Sequence, residues 1–532
     1  MENLGVNKEL EFIKENLINW YDFNKDSEVL EITLDTETKI TEYLKENVAH
    51  VNKIDIVTNL DENIGKYDYV IIHNFYSVNK KDIALEKILK YAQLHKKDNG
   101  TILISIKNKL GIECMNCINV EEEQNIENQN MYLKKEIEKI LINNQIKNYK
   151  FYYLLPNENY PNIIFTDEHL PSQEGILRDL TLYNKDILVK EDEREIYRRI
   201  LNEDIDLFKI FANSFLIEIS DEPIKNDIVY VTFGNSRKEK YRLKTIMRKS
   251  DVYKEAVTKI AEGHIEEIKN NIEILENSKI NMLDSYKDGR IYSKLVKEKQ
   301  SFDKELIKEA KNNGTEIIIE PIKKFKEELE NKLEISKKTD NTVFEKYKIE
   351  CSKEIKDKLH FIKDGIFDLI FQNCFVLDNK FNFYDQEWKQ SNVPLEFIIY
   401  RAIYYLGNSN SKIDTNMLYN AFELNDFIQI FEQLEIVLQE EIKDETVWNI
   451  HRQEYLHTKT VYDTMIHYRN LHAEIQKDYQ ELEEKNKKIE AKNMEKDIQI
   501  KDLQDKINYM ENSRSWKITK PLRNIRKKYN KI

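Results

Sequence analysis

The chain has 532 residues, too many for one hydrophobic core, and a length of this order predicts about three or four structural units. Hydrophobic residues make up 40% and charged residues 34%, with 11 glycines and 7 prolines, which favours helix-rich domains over loop-rich β architecture. A net charge of −13 excludes general nucleic-acid binding, which needs concentrated Lys and Arg, and 4 cysteines exclude a disulfide framework.

The opening MENLGVNKEL lacks the charged-then-apolar pattern of a secretory signal. No run approaches the roughly 18–20 apolar residues of a membrane span. Both features predict a protein of the reducing cytoplasm. From Glu28 to Ile106, EVLEITL, KIDIV, YDYVIIHNF and GTILISI read as strands, with TETKITEYLKENV and ALEKILKYAQLHKK as helices. That alternation predicts a parallel sheet with helices on its faces. FYYLLP and NIIFT add extended segments, and EIYRRILNEDIDLFKIFANSF is expected to lead out of the unit.

VLEITLDTETKITEYLKENVAHVNKID resembles the opening of class I S-adenosylmethionine-dependent methyltransferases, where a strand runs into a Gly-rich loop and a later acid binds the ribose hydroxyls. YDYVIIHNFY resembles the later strand that flanks the methyl group. NGTILISIKNKLGIECM and FYYLLPNENYPNIIFTDEHLP resemble a bacterial subfamily that joins this domain to a glycan-modifying partner. The resemblance implies a Rossmann-like α/β domain over residues 1–220, S-adenosylmethionine as cofactor, and Asp55 as the ribose-binding acid. The loop departs from the family: Thr33-Leu34-Asp35-Thr36-Glu37-Thr38 has no glycine to let the backbone approach a cofactor, and its acids face the cofactor's carboxylate. About a dozen residues join Asp55 to Tyr67, too few for the strand-and-helix pair of the family. The expectation is a retained fold with a lost cofactor site.

A second unit, α+β, is expected over residues 221–450. IVYVTF, a turn at Gly234-Asn235-Ser236, and KYRLKTIMRK read as a hairpin; the strand DVYKEAV and the helix AEGHIEEIKNNIEIL follow. FDLIFQNCFVLDNKFNFYDQEW carries the chemistry. Phosphoryl transfer needs a carboxylate to orient the attacking hydroxyl and oxygen ligands to hold magnesium. Asp368 and Asn373 are five apart, and Asp385 lies seventeen beyond Asp368, after the hairpin CFVLDNKFNFY. Spacing alone also admits a chance D-x4-N pair and an ordinary turn at Asp378-Asn379.

The pattern resembles the catalytic loop and metal-binding motif of kinase-like enzymes, with DQE in place of DFG, and VPLEFIIYRAIYYL resembles the subfamily that pairs such a domain with a methyltransferase. The resemblance implies ATP and Mg2+, with Asp368 as catalytic base and Asn373 and Asp385 as metal ligands. Lys254 would meet the phosphates from the third strand, under the turn at Gly234. A helix glutamate would pair with Lys254; Glu266 is assigned, and Glu262 is spaced equally well. His264 resembles a subfamily position, and reads otherwise as a packed helix-face histidine.

Cys114-Met115-Asn116-Cys117 has the spacing of a zinc half-site, but no second pair completes four ligands, so ordinary thiols are expected. From Tyr468, Leu471, Ile475, Tyr479, Leu482 and Ile489 recur every three to seven residues, then, after a phase slip, Ile500, Leu503, Ile507 and Met510. This predicts a coiled coil over residues 451–512, weakened at Asn486 and Asn493, with a second copy as partner. Residues 513–532 contain eight Lys and Arg and no acid. Ile518, Leu522, Ile525, Tyr529 and Ile532 would share one helical face, suited to an anionic membrane surface. The pattern SxSWxxTxPLR resembles the ends of bacterial surface-polysaccharide enzymes.

Together the resemblances imply a methyltransferase–kinase–coiled-coil protein of surface-glycan modification, peripheral on the inner face of the plasma membrane. Its acceptor would be a lipid-linked or surface glycan, and its tail would meet lipid or glycan-assembly proteins. Methyl transfer to the same glycan class and a non-catalytic scaffold are the alternatives.

Overall fold

The computed structural model describes residues 8–35, 38–57, 64–116, 129–173, 175–176, 191–297, 299–336, 340–410 and 412–529, without the side chains of 451–463, 465 and 525–529. The chain forms two units, 1–458 and 459–532.

In the first unit, β1 (Glu28–Thr33), β2 (His50–Asp55), β3 (Tyr67–Ile72) and β4 (Lys96–Asn108) lie in the order β2-β1-β3-β4, all parallel. Helix Lys39–Asn47 starts where the Thr38 hydroxyl accepts from the Thr41 N–H at 3.1 Å. Successive side chains of each strand point to opposite faces. Leu30, Ile32, Val70 and Ile104 therefore enter one core, and Val29, Ile71 and Leu103 another. A Rossmann-like mixed α/β sheet results.

β5 (Met131–Tyr132) extends the far end of β4; β6 (Asn148–Leu155) and β7 (Ile163–Thr166) follow as an antiparallel pair. The segment expected to lead out of the unit turns back instead. Helix Glu193–Glu203 stops at Asp204, and β8 (Ser214–Ser220) enters between β4 and β6, antiparallel to both. Six of its seven residues are buried, a pattern that suits a central strand covered on both faces.

β9 (Ile228–Phe233), β10 (Leu243–Arg248) and β11 (Val252–Ala256) form an antiparallel meander; β12 (Asn281–Met282), β13 (Asp284–Lys287) and β14 (Arg290–Ser293) follow the helix Glu262–Asn277. β9 pairs with β7, bringing Ile163 opposite Thr232 and Ile164 opposite Val231. One 13-stranded sheet thus runs across the expected boundary at 220/221, in the order β13-β14-β11-β10-β9-β7-β6-β8-β4-β3-β1-β2, with β5 off the path. Leu154, Ile164 and Leu216 share one buried cluster with Val231, Ile246 and Tyr253.

The remainder of this unit is mainly helical. β15 (Ile335–Ser336), β16 (Phe361–Ile366) and β19 (Lys389–Pro394) form one small sheet; β17 (Cys374–Leu377) and β18 (Lys380–Phe383) form another with β12. Phe361 of β16 and Phe383 of β18 share one buried cluster with Ile399 and Phe431 of the helices Leu395–Ser409 and Ile428–Ile442.

Helix Glu445–Asn512 supplies most of the second unit. Two short helices follow, Arg514–Ile518 and Lys520–Tyr529, where a single amphipathic helix was expected. The break falls at Thr519, ahead of Pro521, which has no N–H and fits only a first turn. The Arg523 guanidinium lies 3.6 Å from the Trp516 ring centre. Ile518 and Leu522 are exposed; the side chains of Ile525 and Tyr529, and all of Ile532, lie outside the described residues. Among the described residues no helix is long and apolar enough to cross a membrane.

Ile164 is 1% exposed at the β7–β9 junction. Ile164→Ala should lower stability by about 2–5 kcal/mol in urea denaturation. Hydrogen exchange should show protection lost on both sides of the junction, at Leu154 and at Ile246 alike.

Candidate functional site

Lys254 sits mid-strand on β11, held by Thr245 of β10 on one side and Ile291 of β14 on the other. Across from it, β17 and β18 are joined by Asp378 and Asn379, both left-handed at φ 49° and 59°, the two-residue hairpin turn that Asn and Asp tolerate. Beyond the hairpin, Asp385 is itself left-handed at φ 60°, and its N–H donates to Asp284 Oδ2 at 2.6 Å. This turns its carboxylate onto the Lys254 ammonium, which also contacts Glu387. Arg237, from the turn after β9, donates to Glu387 at 2.5 Å. His264 Nε2 lies 3.9 Å from the same carboxylate, with its ring stacked on Trp388.

Asp368 follows β16. One of its carboxylate oxygens accepts from Arg401 at 3.1 Å and the other from the Glu387 N–H at 3.3 Å. Arg401 continues to Glu435 at 2.6 Å. Asn373 Nδ2 donates to the carbonyls of Asp368 at 3.2 Å and Asp385 at 3.3 Å. With its nitrogen committed to the main chain, its Oδ1 is the atom left with acceptor capacity for a ligand.

Burial works against every charge here, and the neighbours decide each outcome. Burial opposes the charge on Lys254, but Asp385 and Glu387 outweigh it and hold the ammonium above its ordinary range. Glu387 pays a burial penalty too, which Arg237 and Lys254 overcome, keeping its carboxyl well below the usual range. Burial dominates at Asp385 and raises its carboxyl, with Lys254 opposing. Asp368 is pushed up to about 7 by burial, with Arg401 opposing. Burial likewise raises Asp284 to about 6.

Arg237, Lys254, Asp385 and Glu387 line a cavity of about 540 Å³ together with Leu243, Met247, Val252, Leu295, Val296 and Phe375. That size and mixed lining suit a nucleotide, whose base is apolar on its faces and whose phosphates are anionic. Asp385 and Asn373 Oδ1 are hard oxygen donors of the kind magnesium takes, alongside substrate phosphates. Among the described residues no three His, Cys, Asp or Glu side chains cluster as a metal site on their own.

The structure gathers Lys254, Asp385 and Gly234 at this cavity; Asp368 and Asn373 do not line it, Asn373 bonding the Asp385 carbonyl and Asp368 the Glu387 N–H. Glu266 does not join them. It is exposed, accepts from Tyr286 at 2.7 Å and pairs with Lys269 at 3.1 Å; Glu262 is exposed as well. The helix turns His264 inward instead, and Glu387 holds the lysine. Glu387 and Arg237 are thus residues of this cluster that spacing missed; the D-x-E spacing of DQE was the one signal for Glu387, and Arg237 had none. Arg401 had a clearer signal, a lone cation in the apolar run FIIYRAIYYL. Cys117 lies outside the described residues, and burial raises the Cys114 thiol to about 12, which disfavours a metal-binding thiolate.

The carboxyl ends of the parallel strands form a second candidate edge, where open α/β sheets bind ligands. Asp55 ends β2 opposite Thr33, and its carboxylate accepts from the Val57 N–H at 2.8 Å. Asn74 donates to Asp35 at 2.9 Å; Thr36 and Glu37 lie outside the described residues. The cavity bounded by Asp35, Thr38, His73, Asn74, Ser105 and Glu158 measures about 20 Å³. That is room for about one water, against about 300–1,000 Å³ for a cofactor pocket. This cavity by itself would not hold S-adenosylmethionine.

No family model and no curated protein matches the chain. Solved structures similar to it include methyltransferases. A SAM-dependent methyltransferase from Archaeoglobus fulgidus is 15% identical, with a TM-score of 0.26, over 40% of this chain and 94% of its own. One from Thermotoga maritima is 10% identical, with a TM-score of 0.23, over 40% and 90%. Phosphoethanolamine N-methyltransferase 2 of Haemonchus contortus, solved with S-adenosyl-L-methionine, is 10% identical, with a TM-score of 0.25, over 40% and 52%.

The raised carboxyl of Asp368 has a stability consequence. Between about pH 4 and 7 the folded chain keeps a proton there that the unfolded chain has released, so this contribution falls as pH rises through that window. The loss should be on the order of 4 kcal/mol. Urea denaturation from pH 5 to 8 should show Asp368→Asn with a shallower decline than the natural chain. Equal slopes would show that Asp368 titrates normally.

Proposed function

We propose that the cleft beside β11 binds ATP with magnesium and that the protein transfers a phosphoryl group to a hydroxyl of a lipid-linked or cell-surface glycan. The observation that carries this reading is the meeting of Lys254 with Asp385 in a cavity lined by both charged and apolar side chains. The nucleotide supplies the phosphoryl group and the metal neutralises its charge. Lys254 is the cation for the phosphates, kept charged by Glu387. Asp385 and Asn373 are the metal ligands, and Asp368, raised toward neutrality, takes the acceptor's proton. A Cβ at Gly234 would sit 3.3 Å from both the Arg237 side chain and the Leu243 carbonyl, so glycine lets the turn close tightly at this cavity. The sequence likeness to glycan-modifying proteins supports the acceptor class. The basic residues after Glu511 support attachment to an anionic membrane surface or to glycan-assembly proteins.

Methyl transfer from S-adenosylmethionine to the same kind of glycan is the second reading. The parallel order β2-β1-β3-β4 favours it, and the 20 Å³ cavity opposes it. A scaffold without catalysis is the third.

Thermal melting separates them, because a ligand bound only by the native state must stabilise it, by about 2.7 kcal/mol at a hundred times its Kd. ATP with magnesium should raise the midpoint, S-adenosylmethionine should leave it unchanged, and Asp385→Ala should remove the magnesium-dependent part. A shift with S-adenosylmethionine alone would replace this reading by methyl transfer. No shift with either would leave the scaffold.

A further inference from the structure

Along the helix Glu445–Asn512 large apolar side chains stand in solvent: Tyr479, Leu482, Ile489, Ile500, Leu503, Ile507 and Met510 are each 51–70% exposed. So polar a helix is marginal unless that stripe is covered. Counting apolar residues alone gives a seam with a slip before Ile500. Counting Asn486, Asn493 and Lys496 as members removes the slip, because spacings of three and four then alternate without a break from Tyr479 to Met510.

The heptad that follows has Tyr479, Asn486, Asn493, Ile500 and Ile507 at its a positions. Leu482, Ile489, Lys496, Leu503 and Met510 occupy d. Ile at a with Leu at d favours two strands, and a buried Asn at a fixes register by meeting its own copy across the seam. Lys496 is the exception at d, where its stem can pack while the ammonium reaches water.

The flanking charges select the orientation. In a parallel pair each g residue faces the e residue five positions on in the partner helix. Lys485 then faces Glu490, Lys492 faces Asp497, and Lys506 faces Glu511, with Gln499 opposite Gln504 between them. An antiparallel pair would set g against g and e against e, lysine against lysine and acid against acid. Within one chain Lys506 pairs with Asp502 at 2.6 Å, a bond it can exchange for Glu511 of a second copy.

We infer that residues 479–511 form a parallel, in-register, two-stranded coiled coil with a second copy of this chain. The inference does not depend on the chemistry of the cleft.

Light scattering on the full chain should give twice the mass of one chain; one, three or four copies would overturn the inference. Oxidised Asn486→Cys should form a covalent dimer, while Glu484→Cys, on the outer face, should form far less. Equal cross-linking would rule out the register. The triple change K485E/K492E/K506E should weaken association at least tenfold, and adding E490K/D497K/E511K to the same chain should restore it. Failure to restore would overturn the parallel pairing.

Discussion

Two carboxylates two residues apart, Asp385 on the wall of the cleft and Glu387 buried beside it, sit close together in this protein, and the arrangement around them follows from keeping them there. An unpaired buried carboxylate costs several kcal/mol, so cations must arrive within hydrogen-bonding distance. They come from separate elements: Lys254 from the third strand of the meander and Arg237 from the turn after its first. Asn271, on the helix Glu262–Asn277, donates at 3.1 Å to the carbonyls of both Gln386 and Glu387. Asp368 repeats the device one layer further in, between Arg401 and the Glu387 N–H. The short segment Asp385–Glu387 is therefore fixed by the sheet, the helix and the helical core at once, which is the rigidity the proposed site would need.

The sheet that presents Lys254 is steadied from the other side by the Rossmann-like half. An isolated meander would expose the edge of β9, and the parallel half would expose β7; pairing them removes both edges. Because Ile164 and Val231 sit in one buried cluster, a disturbance in either half is felt in the other. The parallel half thus has a structural role at the cleft that does not depend on a cofactor of its own.

Much of this was legible in the sequence. Alternating apolar runs located β1, β3 and β4, and the order of hairpin, lysine strand, helix, D-x4-N, hairpin and Asp located the cleft. What escaped had physical reasons. SFLIEIS lies at the end of a helical stretch, and a short apolar run there cannot be told from a helix end by periodicity. The β7–β9 pairing is a long-range choice of edges that leaves no local trace. Glu387 was hidden because the motif of kinase-like enzymes directed attention to a helix glutamate, whereas the left-handed turn at Asp385 brings both acids of DQE toward one lysine. Asn486 and Asn493 read as interruptions because a polar residue in a seam is a loss for one helix, and in the proposed pair it becomes a gain in specificity.

The turn between β9 and β10 has a single glycine where phosphate-covering turns rely on several, so its shape must be set by something other than backbone freedom. The bonds that set it come from the junction between the helix Ile428–Ile442 and the long helix. The Lys238 N–H donates to the Ile442 carbonyl at 2.9 Å, and the Asp444 N–H donates to Ser236 at 2.9 Å. Arg242 pairs with the Asp444 carboxylate at 2.8 Å, and that carboxylate also accepts from the N–H groups of Thr446 and Val447 in the helix's first turn. One side chain therefore caps a helix and fastens the turn that carries Arg237. A turn held in this way gives up the adaptability of a Gly-rich loop and gains a fixed position for its guanidinium. Loss of glycine at such a turn then counts as a change in how the loop is held, and does not by itself count against phosphate binding.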